Sequence, residues 1–300
     1  MNNLAELDFS KLPASISDAQ IAGKIMAIDN LGRTMDPTKK MVAEGYCFPT
    51  KTELTIIVFC MKGSAKFCVN LNKVDLQPMH LMVIQAGCIF EVNQVSEDFE
   101  GVILLNNPEA MALSDEAIVG ISLRRYLMEN LTVPVTPDQL DKLMGIYKLL
   151  KTSLQDTDNP FRDQIVQRLC QVITYFCCYI FLNSPFATIK KAKSRKEEIF
   201  DKFILMVEQE YIRERRITYY AERLNLSPKY LSTVVKEVSD KYASDWIDDY
   251  VVLEAKALLK QGGLNIQQIS DRLNFPNQSF FGRYFKKQTG YSPKDYRNLE

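Results

Sequence analysis

The hydrophobic pattern of the chain changes twice along its length. From about residue 20 to 105, apolar residues come in short runs: "ELTIIVFCM" at 53–61, "AKFCVNL" at 65–71, "HLMVI" at 80–84 and "GVILL" at 101–105. Runs of this length, rich in β-branched side chains, predict strands, with "KGS" at 62–64 and "NK" at 72–73 as tight turns between them. Several short strands at regular spacing predict a sandwich or barrel.

From about 110 to 183 the apolar period lengthens to that of a helix. "SDEAIVGISLRRYLMEN" begins with Ser114 as an N-cap. A second helix opens with Thr136 as N-cap and Pro137 at its first position, then repeats Leu140, Leu143, Met144, Tyr147 and Leu150 on one face. A third starts from Asn159 and Pro160, and its second half, "VITYFCCYIFL", is apolar on nearly every side. Such a helix is expected to be buried all round, with core packing favoured over a dimer seam. The stretch 184–198 opens with Ser-Pro and carries five Lys/Arg between 189 and 196, the pattern of a basic, solvated linker.

The last hundred residues contain an internal repeat. "ITYYAERLNLS" at 217–227 aligns with "IQQISDRLNFP" at 266–276, and "KYLSTVVKEVSDKYASDW" at 229–246 aligns with "SFFGRYFKKQTGYSPKDY" at 279–296. Each copy predicts a short helix, a turn at Leu-Asn and a second helix. Asn225 and Asn274 fall where a left-handed residue is needed, and Ser227 and Asn277 fall where an N-cap is needed. Two helices joined by so short a turn form a helix-turn-helix.

Each second helix has two faces. In the first copy, Leu231, Val234, Val235 and Val238 form an apolar stripe, while Lys229, Ser232, Thr233 and Lys236 form a polar one. In the second copy, Phe281, Tyr284 and Phe285 take the core side. Gln278, Ser279, Gly282, Arg283 and Lys286 take the other, with Phe280 at the border. Amide, hydroxyl and cationic groups without carboxylates hydrogen-bond to base edges and phosphates. Gln278, Ser279, Arg283 and Phe280 are therefore candidates for base contacts in the second motif, and Lys229, Ser232 and Thr233 in the first. Lys236, Lys286 and Lys287 are candidates for phosphates.

Charge agrees with this placement. The chain is neutral overall, but residues 1–183 hold 16 Lys/Arg against 21 Asp/Glu and the remainder holds 21 against 16. The excess of positive charge lies in the half that would meet a polyanion. The seven cysteines show no C-x-x-C pair, so neither zinc nor redox chemistry is indicated, and thiols in apolar runs fit a reducing compartment. The N-terminus lacks the cationic-then-apolar order of a signal peptide, and the apolar run from Leu169 to Leu182 is short for a membrane span. A cytoplasmic protein with no membrane partner is expected. No nucleophile–base pairing and no Gly-rich phosphate loop stands in the sequence, so no enzyme activity and no cofactor is expected.

Two resemblances follow. Residues from about 197 to 297 resemble the DNA-binding domain of the AraC/XylS transcriptional regulators. The matching string is "LNFPNQSFFGRYFKKQTGYSPKDYR", with Phe275, Asn277, Ser279, Phe281, Arg283, Phe285, Lys286-Lys287, Gly290, Ser292-Pro293 and Tyr296-Arg297 in the family's positions. Asn274 stands where the family usually has a turn glycine, and in the first copy Asp240 stands where the second has Gly290. Residues 63–87 resemble, more loosely, a cupin-type jelly roll. Metal-binding cupins need several histidines, and this chain has only His80, so a His-rich metal site is excluded.

The resemblance implies an α+β chain. An N-terminal cupin-like β-barrel or jelly roll (1–110) would serve as effector domain, followed by a helical dimerisation region (111–183) and the basic linker (184–198). An all-α DNA-binding domain (199–300) would hold one helix-turn-helix at 217–238, a connector helix at 243–260 and a second helix-turn-helix at 266–288. It also implies a regulator binding double-stranded DNA with both motifs in successive major grooves. The barrel would control it through a small-molecule effector or through homodimerisation, with RNA polymerase as a further partner of an activator. The alternatives are a ligand-independent DNA-binding protein whose barrel only mediates dimerisation or protein contacts, and a cupin enzyme with an accessory DNA-binding domain. The residues that would hold an effector are not marked in the sequence, since Phe59, Phe67, Met82 and Phe90 line either a pocket or a packed interior equally well.

Overall fold

The computed structural model describes residues 20–22, 25–31, 48–106, 130–184 and 194–299. The chain divides into two units, the first Met1–Cys47 with Lys51–Ile189 and the second Lys190–Glu300 with Phe48–Thr50. The predicted helix at 114–130, apart from its last residue, and the stretch 185–193 lie outside the described residues.

The first unit is built on strands β1 (Gln20–Ala22), β2 (Ile25–Asp29), β3 (Thr50–Lys51), β4 (Thr55–Lys62), β5 (Ala65–Val69), β6 (Asn72–Leu76), β7 (His80–Ile84), β8 (Ile89–Val95), β9 (Glu100–Asn106) and β10 (Thr132–Pro134). They form a six-stranded sheet in the order β1-β2-β9-β4-β7-β10 and a four-stranded sheet in the order β3-β8-β5-β6. Helices α1 (Pro137–Gln155) and α2 (Arg162–Leu182) follow. The fold is α+β. Among the described strands the ladders stay within each sheet, so of the expected sandwich or barrel the chain forms the sandwich, left open.

The six-stranded sheet is buried on both faces, and the period-2 alternation of its strands sorts the residues. Ile57 and Phe59 of β4, Leu81 and Val83 of β7, and Val102 and Leu104 of β9 pack with α1 and α2. Ile56, Val58 and Cys60 of β4, with Met82, Ile84 and Leu105, pack against Phe67, Val69, Leu76, Phe90 and Val92 of the four-stranded sheet. Phe59 thus points away from the inter-sheet interior to which the sequence assigned it. One residue's offset from Val58 decides the face. The β5–β6 turn also sits earlier than expected. Asn70 takes the left-handed conformation at φ 52°, leaving Asn72 and Lys73 inside β6.

Helix α1 begins as predicted: Thr136 caps Gln139, and the Gln139 side chain returns to the Thr136 N–H as a capping box. Helix α2 starts later than predicted, at Arg162. Asn159 accepts from the Phe161 N–H at 3.0 Å in a local turn rather than capping the helix. Nor is α2 buried all round. Val166, Cys170, Ile173, Cys177, Ile180 and Phe181 are buried, whereas Ile165, Val172, Tyr175, Tyr179 and Leu182 are exposed. The helix is long and apolar enough to cross a membrane, but its inner face packs on the sheet and α1. Burial pushes the thiols of Cys60 and Cys178 up to about 11 and that of Cys170 up to about 12, so these cysteines stay protonated at neutral pH and act as small apolar side chains.

The sheet and α1 are also joined by a buried polar contact. Asp29 at the end of β2 accepts from the Tyr147 hydroxyl at 2.5 Å and from Lys151 Nζ at 2.6 Å. Burial raises the Asp29 carboxyl, but the hydrogen bonds from Lys151 and Tyr147 and the lysine charge outweigh it and hold the group below its ordinary value.

In the second unit the helices are α3 (Arg195–Glu210), α4 (Ile217–Arg223), α5 (Pro228–Ser239), α6 (Ala243–Gln261), α7 (Ile266–Arg272), α8 (Gln278–Thr289) and α9 (Pro293–Arg297). Helix α3 begins inside the stretch expected to be linker. Ser194 and Glu197 form a capping box, and Ile199, Phe203 and Val207 give it a buried face. Helix α6 ends at Gln261, where Gly262 and Gly263 both adopt positive φ.

Asp29→Asn is expected to destabilise the first unit by about 1–3 kcal/mol at pH 7, measured by urea unfolding. The native carboxyl titrates below 3.8, so its contribution is complete above that pH and fades as pH falls through the native value. The gap between wild type and variant should therefore narrow in titrations repeated toward pH 3.

Candidate nucleic-acid interface

Both helix-turn-helix motifs are closed by the same backbone device. At the end of α4, the Leu226 N–H donates to the Ala221 carbonyl at 2.9 Å and the Asn225 N–H to that of Glu222 at 3.0 Å. At the end of α7, the Phe275 N–H donates to Ser270 at 2.9 Å and the Asn274 N–H to Asp271 at 3.0 Å. This is the Schellman pattern, and it requires a left-handed residue after the helix. Asn225 and Asn274 supply it, each at φ 55°. Asparagine serves at both turns because its short amide tolerates this conformation.

The next helix is then capped. The Ser227 hydroxyl accepts from the Tyr230 N–H at 3.2 Å, and Asn277 Oδ1 accepts from the N–H groups of Ser279 and Phe280, both at 3.0 Å. Helix α5 ends at Asp240 and α8 at Gly290, both left-handed. The substitution of Asp240 for glycine thus leaves the geometry of the first copy unchanged.

Core packing orients each second helix. Leu231, Val234 and Val235 are buried on α5, and Phe281 and Phe285 on α8. Aromatic rings continue the second core, with Phe275 at 5.3 Å from Phe281 and 5.0 Å from Tyr284, and Phe285 at 5.5 Å from Tyr296.

The opposite faces carry every residue that the sequence singled out. On α5, Lys229 and Thr233 are exposed, and Ser232 and Lys236 half-buried. The Ser232 and Thr233 hydroxyls donate back to the carbonyls of Pro228 and Lys229, which leaves their lone pairs outward. The Lys236 ammonium donates to the Asp240 carbonyl and lies 4.6 Å from the Tyr242 ring centroid. On α8, Gln278, Ser279, Phe280, Arg283, Lys286 and Lys287 are all exposed. Phe280, at the border by periodicity, is 50% exposed, and the Arg283 guanidinium lies 4.7 Å from its ring centroid. These two side chains form one apolar-cationic patch.

One residue escaped the sequence reading. Tyr230 is 42% exposed on α5, at the position that the 50-residue offset pairs with Phe280. The signal was present in the repeat, since Phe280 is the residue paired with it. His80 stands apart from all of this; its Nδ1 lies 3.0 Å from the Pro78 carbonyl at the start of β7.

The turn and cap residues should carry measurable stability. Asn225→Ala is expected to cost about 1 kcal/mol through left-handed strain, and Asn277→Ala about 1 kcal/mol through the lost cap. Urea unfolding of the full chain, followed by Trp246 fluorescence, measures both.

The helix-turn-helix domain family model matches residues 220–299. Among curated proteins, an uncharacterized HTH-type transcriptional regulator of Bacillus subtilis, YtdP, is 29% identical over 148 residues, covering 49% of this chain and 17% of the relative. A second, YpdC of Escherichia coli, is 22% identical over 197 residues, covering 64% and 68%. The arabinose operon regulatory protein of E. coli is 32% identical over 81 residues, covering 27% and 28%. Apart from YpdC, the chain thus spans well under two thirds of these relatives. Among solved structures, ToxT from Vibrio cholerae aligns at a TM-score of 0.42 and 15% identity, covering 93% of this chain and 98% of that one. Residues 220–299 are thus similar to known helix-turn-helix domains, in the part of the chain that holds both motifs.

Proposed function

We propose that this chain is a sequence-specific DNA-binding transcriptional regulator that lays α5 and α8 into successive major grooves of a duplex. The observation that carries this reading is the duplication of geometry. Two Schellman-closed helix pairs each turn outward hydroxyl and cationic groups, joined by an amide on α8, and the carboxylate beside them on α5, Glu237, is paired with Lys196 at 2.6 Å. Gln278, Ser279 and Arg283 suit base edges, and Phe280 suits a thymine methyl. Lys229, Ser232 and Thr233, joined by Tyr230, take this part in the first motif. Lys236, Lys286 and Lys287 hold phosphates.

The exposed stripe of α2 favours homodimerisation as the role of the N-terminal unit. Ile165, Arg168, Val172, Tyr175, Tyr179 and Leu182 recur at alternating steps of three and four, the spacing of a two-helix seam. Turned antiparallel about its midpoint, the stripe is self-complementary. Ile165 meets Leu182, Val172 meets Tyr175, and Arg168 meets the Tyr179 ring of a second copy. Phe67, Met82, Phe90 and their neighbours are buried between the sheets, so an effector held there would be apolar. RNA polymerase is the further partner if the protein activates transcription in the cytoplasm.

Arg283→Ala should weaken the selected DNA site by about 1–3 kcal/mol and relax specificity there. Equal weakening on specific and random DNA in competition binding would remove Arg283 from base readout. Lys287→Ala should lower the slope of log affinity against log salt by about one. Tyr175→Glu should convert a dimer to a monomer in sedimentation equilibrium; a wild-type monomer at tens of micromolar, or a variant that stays dimeric, sinks the seam.

A further inference from the structure

The second recognition helix is held from behind by a cluster that the outward-facing residues do not include. Arg215 lies between α3 and α4, ahead of the first motif, yet it reaches the turn of the second. Its guanidinium sits 3.8 Å from the Phe275 ring centroid and 6.0 Å from that of Tyr284, and Nη2 donates to the Leu273 carbonyl. Leu273 and Phe275 flank Asn274, the left-handed residue of that turn. Asn274 Nδ2 in its turn donates to the Arg213 carbonyl at 3.3 Å. The 213–215 segment therefore clasps the second turn at three successive residues.

The connector helix holds α8 as well. The Tyr284 hydroxyl donates to Asp248 Oδ1 at 2.7 Å, and Gln288 Nε2 donates to Asp248 Oδ2 at 2.9 Å. One carboxylate of α6 thus binds two successive turns of α8. Tyr284 joins the two contacts, with its ring facing Arg215 and its hydroxyl on Asp248.

The arrangement is costly. The Arg215 guanidinium is half-buried, its Nε is buried without a hydrogen-bond partner, and burial lowers its pKa while Tyr284 and Asp248 partly offset that. A planar cation can stack on one aromatic ring and donate to a carbonyl at once, and an aliphatic side chain of similar volume cannot.

We propose that Arg215 is a positioning residue which, with Asp248 and Tyr284, fixes the register of α8 relative to α5 and so sets the spacing of the two DNA half-sites. This rests on the DNA-binding reading above. Binding the second half-site is intramolecular once the first is engaged. Its effective concentration is high only while the two helices are held at one separation. Loosening the clamp should lower affinity at the native spacing and also flatten the penalty for a wrong spacing. A purely structural role would lower affinity equally at every spacing.

The test uses the full chain. A site is selected from random DNA, and affinities are compared at the native spacing and with one or two base pairs inserted between half-sites. Wild type is expected to lose about tenfold or more on insertion. Arg215→Met is expected to bind the native site more weakly and to lose about threefold or less on insertion. Tyr284→Phe, which deletes a single hydroxyl, and Asp248→Ala should shift the same ratio in the same direction, and they carry the test should Arg215→Met not fold. Variants that keep the wild-type insertion penalty overturn the inference alone. A wild-type chain that selects no DNA sequence overturns the DNA-binding reading and this inference with it.

Discussion

The C-terminal unit depends on one buried helix. Helices α3, α5, α7, α8 and α9 all pack against α6. Nine of its nineteen residues are buried, Ile247, Val251, Ala255, Leu258 and Leu259 among them. So enclosed a helix cannot shift without disturbing both motifs at once. It also carries a buried carboxylate: Glu254 accepts from the Tyr211 hydroxyl at 2.8 Å, and burial together with that charge raises the Tyr211 pKa. Nearby, the Tyr250 hydroxyl donates to Glu208 at 2.8 Å. These contacts tie α3 to the connector by hydrogen bonds in specified positions, where apolar packing alone would tolerate sliding.

The N-terminal unit solves a different problem. Its six-stranded sheet is buried on both faces, so its strands read as near-continuous apolar runs rather than as a clean alternation. Covering that sheet takes a second sheet on one side and two helices on the other. The covering helix α2 uses only its inner face for this purpose. The apolar residues left on its outer face are a contiguous stripe, and contiguous exposed apolar surface marks an interaction site more often than scattered residues do.

Much of this was legible locally. The Leu-Asn turns and the caps at Ser227 and Asn277 each express a conformational preference of one or two residues, and they fell where the sequence placed them. Strands β4, β5, β7 and β9 were equally clear. Strand β6, "NKVDL", was not, because alternating polar residues on an outer strand give little apolar signal. The start of α2 was misplaced because Asn159 makes a local turn with the same hydrogen-bonding atom that would have capped a helix. The linker was overextended because lysines and arginines are as common on the outside of α3 as in a solvated tail.

What the sequence by itself determined was periodicity and punctuation: two copies of helix, turn and helix, each with a buried and a polar face. Those follow from local sterics and from the burial of apolar side chains, and both are written in neighbouring residues. Only the tertiary structure decided which apolar residues stayed in water, as on α2 and at Tyr230 and Phe280. It alone joined Arg215 to Phe275 and Asp248 to Tyr284. Those contacts span tens of residues, and their partners are chosen by the packing of whole helices, which no spacing along the chain records.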